Sequence, residues 1–161
     1  MEFRAEVTYP ADLQVVLAML KDPEYQRERL RLAGMEAESI EVMSTDNGFA
    51  SVVKITQNAD DIRVPPMAKR FIPADGVRAT ITEFWDEEGD SGTIALDLAG
   101  LPIDFTATSR LRGAGESVKR LVEGTIQVRV PLIGKKIEAQ AVQHVKDIVE
   151  AEEQAARAYL S

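Results

Sequence analysis

The sequence predicts an α+β fold, in which a curved seven-stranded antiparallel sheet wraps around one long C-terminal helix and two short helices follow the first strand. Two observations predict this fold. From about Met35 to Val130, hydrophobic and polar residues alternate in segments separated by turn-forming residues, which is typical of antiparallel hairpins. From Pro131 to Leu160 the hydrophobic period becomes that of an amphipathic helix. A helix layer on one face of an antiparallel sheet is the usual α+β arrangement.

The N-terminal segment predicts one strand and then the first short helix. Pro10 is expected at the first helical position and Asp12 near the positive helix terminus, ahead of a hydrophobic stripe that ends at Leu20. The strand is predicted from residues that alternate onto one face, namely Phe3, Ala5, Val7 and Tyr9.

A second short helix is predicted by the pair that follows. Asp22 and Pro23 form an N-cap and a first helical residue, and the helix is expected to run to Ala33, with Gly34 as its C′ residue. This helix is highly charged, and its surface around Tyr25, Arg27, Glu28 and Arg29 is typical of a solvated face or a contact surface.

Three successive hairpins are predicted between the short helices and the long one. Their turns contain Asp46-Asn47-Gly48, the acidic segment from Glu87 to Gly92, and Gly113-Ala114-Gly115. The paired strands are Ser39–Ser44 with Phe49–Asn58, Val77–Asp86 with Thr93–Ala99, and Ile103–Arg112 with Glu116–Val130.

One insertion, Arg63–Pro73, interrupts the strands. Its prolines exclude a central strand, so a loop with a single helical turn at Pro66–Phe71 is expected. Hydrophobic Met67 and Phe71 in this loop predict either a mobile lid or a loop packed permanently over the sheet.

Composition excludes several classes of function. The 161 residues are expected to form one domain, 1–161, and the net charge of −8 argues against binding to nucleic acid. The absence of cysteine excludes disulfides and thiolate sites, and His144 is the single histidine, so no metal site, cofactor or catalytic residue is predicted. No segment is long and hydrophobic enough to span a membrane or to serve as a signal peptide, which predicts a cytoplasmic protein.

Polar residues on inward strand faces are the candidate functional groups. Alternation places Glu83 beside Trp85 among hydrophobic residues, and Arg120 between Val118 and Val122. Glu152 lies in the stripe of the last helix. Such groups either orient a ligand in a hydrophobic cavity or form structural ion pairs, strand ends or a register shift. Glu83 is expected to pair with a cation, with Arg120 as the candidate, or to have a raised pKa.

Three motifs carry a resemblance to known proteins. The first is F-x-x-x-V-x-Y-P-A-D-L, here Phe3 to Leu13, the second is E-x-W at Glu83 and Trp85, and the third is Val128–Glu138. The layout and the first two motifs resemble the START-like (SRPBCC) superfamily, the helix-grip fold that includes birch pollen allergens and polyketide cyclases. The third motif resembles an uncharacterised family common in actinobacteria.

The resemblance implies a protein that binds a hydrophobic small molecule or lipid between the sheet and the long helix. Alternatives are a polyketide cyclase- or dehydratase-like enzyme, in which Glu83 acts as acid or base and Arg120 holds an anion, and a protein-interaction module without a small ligand. The sequence does not indicate the ligand's identity or the oligomeric state. The expected ligand-binding residues are Glu83, Trp85, Phe105, Arg120, Ala141, Val145, Met67 and Phe71.

Overall fold

A continuous antiparallel sheet organises the structure, a computed structural model that describes residues 1–62, 64–88 and 90–161. The described residues contain seven strands and three α-helices. The strands are β1 (Glu2–Tyr9), β2 (Ala37–Ser44), β3 (Gly48–Gln57), β4 (Val77–Asp86), β5 (Ser91–Leu98), β6 (Ile103–Ala114) and β7 (Ser117–Val128). The helices are α1 (Leu13–Lys21), α2 (Pro23–Leu32) and α3 (Gly134–Leu160).

The strand order is β1-β7-β6-β5-β4-β3-β2, and each neighbouring pair is antiparallel. The chain therefore makes a meander from β2 to β7, and β1 pairs with β7 as an edge strand of the sheet. Glu2 lies opposite Thr125 and Tyr9 opposite Val118 in that pair. The predicted α+β architecture and its three hairpins are confirmed.

Aspartate side chains begin both short helices. The Asp12 Oδ1 atom accepts a hydrogen bond of 3.0 Å from the Val15 backbone N–H, so α1 starts after Asp12. The prediction that Pro10 is the first helical residue is wrong, because the capping aspartate lies two residues beyond it. Asp22 caps α2 in the same way, and Gly34 follows that helix with φ of +79°, as expected for a C′ glycine.

The two halves of α3 have different surroundings. Its C-terminal half packs tightly, with Ala151, Ala155 and Ala156 buried, and the last two lie in the main hydrophobic core with Tyr9 and Trp85. Its N-terminal half contains the half-buried Ile137 and Val145, which face open space above the sheet. The start of the helix is also anchored, because Gly134 and Glu138 are buried there, so the loosely packed part of α3 is its middle.

The inserted loop forms a 3₁₀ helix at Pro66–Phe71, as predicted. Ala68 is buried against Val128, Val130 and Ile133, which attaches the loop to the start of α3. Arg63, and Gly89 in the predicted acidic turn, lie outside the described residues. No helix in the described part of the chain is both long and hydrophobic enough to cross a membrane.

Gly124 lies on β7 at a point where the neighbouring strands β1 and β6 approach closely. A Cβ atom there would lie 2.5 Å from the Thr106 carbonyl oxygen and 2.7 Å from the Phe3 ring, so Gly124→Ala must displace backbone or ring. We expect it to lower the free energy of unfolding by about 1–3 kcal/mol in urea denaturation. The control is Gly113→Ala on β6, whose new Cβ meets only Leu13 at 3.8 Å and which should change stability little. Equal stability of the two variants would contradict this account of the strand packing.

Candidate functional site

Four charged side chains meet inside the protein and form the buried charge cluster, defined as Arg29, Glu83, Arg120 and Glu152. Each comes from a different element, namely α2, β4, β7 and α3. The Arg120 guanidinium donates to Glu152 Oε1 at 2.6 Å and to Glu83 Oε2 at 3.1 Å. Arg29 donates to Glu152 Oε1 at 3.3 Å and also to Glu83 Oε1. Two positive and two negative charges therefore neutralise each other.

Glu83 is ionised despite its burial. Removal from water alone would raise the pKa of its carboxyl group, but the positive charges of Arg29 and Arg120 outweigh that effect and hold the pKa at about 2. The Trp85 indole N–H also donates to Glu83 Oε2 at 3.3 Å. The sequence-based alternative of pairing with Arg120 is confirmed, and that of a raised pKa is wrong because two guanidinium groups face this carboxylate.

Neutral hydrogen-bonding groups complete the cluster. The Tyr9 hydroxyl donates to Glu152 Oε1 at 2.6 Å, and burial together with the charge of Glu152 raises the tyrosine pKa well above its ordinary range. The Ser109 hydroxyl accepts from Arg120 Nε at 3.2 Å. The Arg120 guanidinium also lies 5.0 Å from the Trp85 ring centroid, a cation–π distance. These partners offset part of the cost of burying four charges.

A hydrophobic cavity of about 220 Å³ begins at the cluster and lies between the sheet and α3. All four cluster residues line this charged-end cavity. Its hydrophobic walls come from β1, β4–β7, α3 and the end of α2, and include the stacked rings of Phe3 and Phe105, whose centroids are 5.6 Å apart. The cavity thus has one polar end and hydrophobic sides.

A second cavity of about 220 Å³ lies further along the same groove, beneath the inserted loop. Phe71 and Ala68 of the loop cover this loop-end cavity, and Ile137 of α3 forms part of its wall. On α3, Ile137 lies eight residues before Val145 of the charged-end cavity, a separation of about 12 Å at 1.5 Å per residue. The groove therefore contains two hydrophobic spaces in series.

The predicted ligand-binding residues separate into distinct groups. Glu83, Phe105, Arg120 and Val145 line the charged-end cavity, and Phe71 lines the loop-end cavity. Trp85 is buried behind the cluster and contacts Glu83, although it lines neither cavity.

Met67 and Ala141 are not brought into the lining of either described cavity. Met67 is 57% exposed, because Ala68 rather than its neighbour turns inward to pack against Ile133. Ala141 lies on α3 between Ile137 and Val145, where its short side chain does not extend into either space.

Sequence reasoning missed the contribution of α2 to the site. The interpretation of Tyr25 and Arg29 as part of a solvated or partner-binding face is wrong, since Tyr25 is buried and only 13% of the Arg29 side chain is exposed. The Tyr25 hydroxyl donates to the Glu152 backbone carbonyl at 3.4 Å. Their four-residue spacing, which places both on one helix face, was the available signal.

His144 is remote from this chemistry. Its side chain is largely exposed and pairs with Asp147 on the same helix at 3.2 Å. Within the described residues, no group of three or more histidine, cysteine or acidic side chains is arranged to hold a metal ion.

The family model of DUF2505, described as "Protein of unknown function", matches residues 4–160. The chain belongs to the DUF2505 family. A comparison with curated proteins found no match.

Solved structures share the fold of this DUF2505 protein. TTHA0849 from Thermus thermophilus is 20% identical with a TM-score of 0.67, and the alignment covers 100% of both chains. The Zhui aromatase/cyclase from Streptomyces sp. R1128 is 11% identical with a TM-score of 0.68, covering 100% of this chain and 96% of the other. A START superfamily protein from Mycobacterium smegmatis is 9% identical with a TM-score of 0.64, covering 98% of each. The predicted START-like helix-grip fold is confirmed.

Replacing Arg120 by methionine tests the cluster. The variant leaves two carboxylates, Glu83 and Glu152, with Arg29 as their remaining guanidinium partner, so one negative charge in the interior is no longer balanced. We therefore expect the free energy of unfolding to fall by about 3–5 kcal/mol. Arg129→Ala is the control, because the exposed Arg129 pairs with the exposed Asp104 at 3.3 Å and should contribute less than about 1 kcal/mol. Similar unfolding curves for the two variants would show that the cluster is not a major structural element.

Acid should lower the free energy of unfolding because it protonates Glu83. Because the folded-state pKa is about 2 against an ordinary 4.5, ionised Glu83 contributes about 3 kcal/mol above pH 5, and this contribution is lost as pH falls towards 2. Urea denaturation between pH 5 and pH 2 should give a steeper loss of stability for the wild type than for Glu83→Gln. Parallel curves would contradict the assignment.

Proposed function

We propose that this protein binds a small, mainly hydrophobic molecule in the charged-end cavity and that it acts in the cytoplasm. The observation that carries the proposal is the cavity itself, which joins hydrophobic walls to a buried cluster of polar groups. Ligand sites commonly combine hydrophobic lining with a few polar groups that orient the ligand. The absence of cysteine suits a cytoplasmic protein, because disulfides are rare in that compartment.

The volume limits the size of the ligand. A cavity of 150 Å³ binds benzene in a well-studied engineered protein, so 220 Å³ suits a molecule of about ten heavy atoms. A single substituted ring or a short chain fits this space, whereas a sterol or a polycyclic polyketide exceeds it. We therefore propose a single-ring or short-chain ligand for the charged-end cavity.

The cluster also limits the ligand's chemistry. Its net charge is zero, and an anionic group entering it would lie against the carboxylates of Glu83 and Glu152. The carboxylate of Glu152 accepts its hydrogen bonds through Oε1, and none of the described residues donates to its Oε2 atom. We therefore propose a neutral ligand with a hydroxyl group that donates to this oxygen.

An enzymatic role is less well supported by the same geometry. A carboxyl group whose pKa is about 2 is a poor proton carrier near neutral pH, because it gives up and accepts protons only in strong acid. Arg120, the expected anion holder, already pairs with Glu83 and Glu152. A protein-interaction role is also less well supported, because Tyr25 and Arg29, which were expected on the contact surface, lie inside the protein.

A ligand series of matched shape tests the proposal. We would titrate 4-propylphenol, propylbenzene and 4-propylbenzoate into the protein, following Trp85 fluorescence and heat. The phenol should bind at least tenfold more tightly than propylbenzene, because a hydrogen bond to a charged acceptor contributes about 1.5–3 kcal/mol. The benzoate should bind most weakly. Absence of binding by all three compounds would refute the proposal.

The variant Val145→Phe tests whether the ligand binds in the charged-end cavity. The larger side chain enters the charged-end cavity, so the affinity for 4-propylphenol should fall at least tenfold while the fold is retained. Lys146→Phe introduces the same ring on the neighbouring exposed position of α3 and should leave affinity unchanged. Equal effects of the two variants would place the ligand elsewhere.

A further inference from the structure

One end of the molecule exposes large hydrophobic side chains. Leu132, in the connection between β7 and α3, is 94% exposed and has φ of +71°, a conformation that costs a leucine about 1–2 kcal/mol. Met67 and Phe71 of the inserted loop are 57% and 37% exposed. Burial of Ala68 against Ile133 joins the two segments, so these side chains share one end of the fold. We call Leu132, Met67 and Phe71 the hydrophobic tip.

Basic side chains flank the hydrophobic tip. Lys69 and Arg70 precede Phe71, and Lys135 and Lys136 follow Leu132 closely; all four are exposed. Basic residues are therefore the nearest charged residues in sequence to the hydrophobic tip, and the exposed Asp60, Asp61 and Asp75 lie further along the chain. The nearest acidic residue on α3, Glu138, is buried and pairs with the Met1 ammonium at 3.6 Å.

Helix stability does not explain the two lysines of α3. They lie in the first turn of a 27-residue helix whose first turn contains no acidic residue. Positive charge at that end opposes the helix dipole and destabilises the helix. Like the strained and exposed Leu132, these two lysines lower the stability of the folded protein. Residues that lower stability in this way are expected where a protein binds a partner.

We infer that the hydrophobic tip and its four basic residues dock on an anionic membrane surface. Long basic side chains and a few hydrophobic ones suit the boundary between lipid headgroups and acyl chains, where both kinds of contact are satisfied together. The loop-end cavity lies directly behind the tip, with Phe71 in its wall, so docking would place this hydrophobic space next to the acyl chains. The inference is independent of the ligand proposed for the charged-end cavity.

Vesicle sedimentation tests the inference with the intact protein. We expect binding to vesicles of equal parts phosphatidylglycerol and phosphatidylcholine, weaker binding at high ionic strength, and no measurable binding to pure phosphatidylcholine. Lys135→Glu/Lys136→Glu should weaken binding at least about 30-fold, since each basic residue near the surface contributes about fivefold. The same change should preserve or raise thermal stability, because acidic residues suit the first helical turn.

Leu132→Asn tests the hydrophobic part, because asparagine tolerates positive φ. It should weaken vesicle binding about tenfold without loss of stability. Phe84→Thr removes a 51% exposed ring from the outer face of β4 and is the control for exposed hydrophobic area. Lys119→Glu/Lys146→Glu changes the net charge as the tip variant does, at exposed positions outside the tip.

Four results would overturn the inference. They are failure of the wild type to bind anionic vesicles, equal binding to neutral vesicles, wild-type binding by both tip variants, and equal losses in the tip and control variants. Self-association that Leu132→Asn abolishes, measured by sedimentation velocity and without vesicle binding, would assign the tip to a second copy of the chain instead. Retained binding of 4-propylphenol in all variants would show that the ligand site is unaffected.

Discussion

Electrostatic pairing inside the groove constrains the rest of this structure. Two arginines and two glutamates from four different elements can be buried together only if each guanidinium faces both carboxylates. An error in the position of α2, β4, β7 or α3 would leave a charge unpaired in the interior, at a cost of several kcal/mol. The cluster therefore fixes the relative position of helices and sheet more strictly than hydrophobic contacts alone, which tolerate some repacking.

The groove is not filled beside the cluster. Arginine and glutamate side chains, rather than hydrophobic ones, form one end of the charged-end cavity. Beyond it, α3 is separated from the sheet, and half-buried residues such as Val145 and Ile137 border open volume. The groove therefore combines a polar cluster with open hydrophobic space.

Most of the fold could be predicted from the sequence, because strand alternation, turn residues and the helical stripe are local signals. Inward-facing Glu83 and Arg120 were predicted from alternation alone, and the cost of burying a lone charge left two alternatives, their pairing or a raised pKa of Glu83. Arg29 was not placed in the same way, since the signal in this short charged helix is limited to its four-residue spacing from Tyr25. The number and positions of the cavities also depend on the distance between α3 and the sheet, and no local sequence pattern predicts that distance. For that reason Met67 and Ala141 were grouped with residues that they do not join.

The uneven anchoring of α3 has a consequence for motion. Its C-terminal turns contain the buried Ala151, Ala155 and Ala156 and the paired Glu152, and its first turn is held by the buried Glu138, which accepts from the Val128 backbone N–H at 3.0 Å. None of residues 139–150 between them is buried. Amide hydrogens of these middle turns should therefore exchange with solvent through a local opening of low free energy, and those near Glu152 only through opening of the whole domain. Such a local opening would widen the groove between two fixed ends of the helix, so a molecule could enter without unfolding of the sheet.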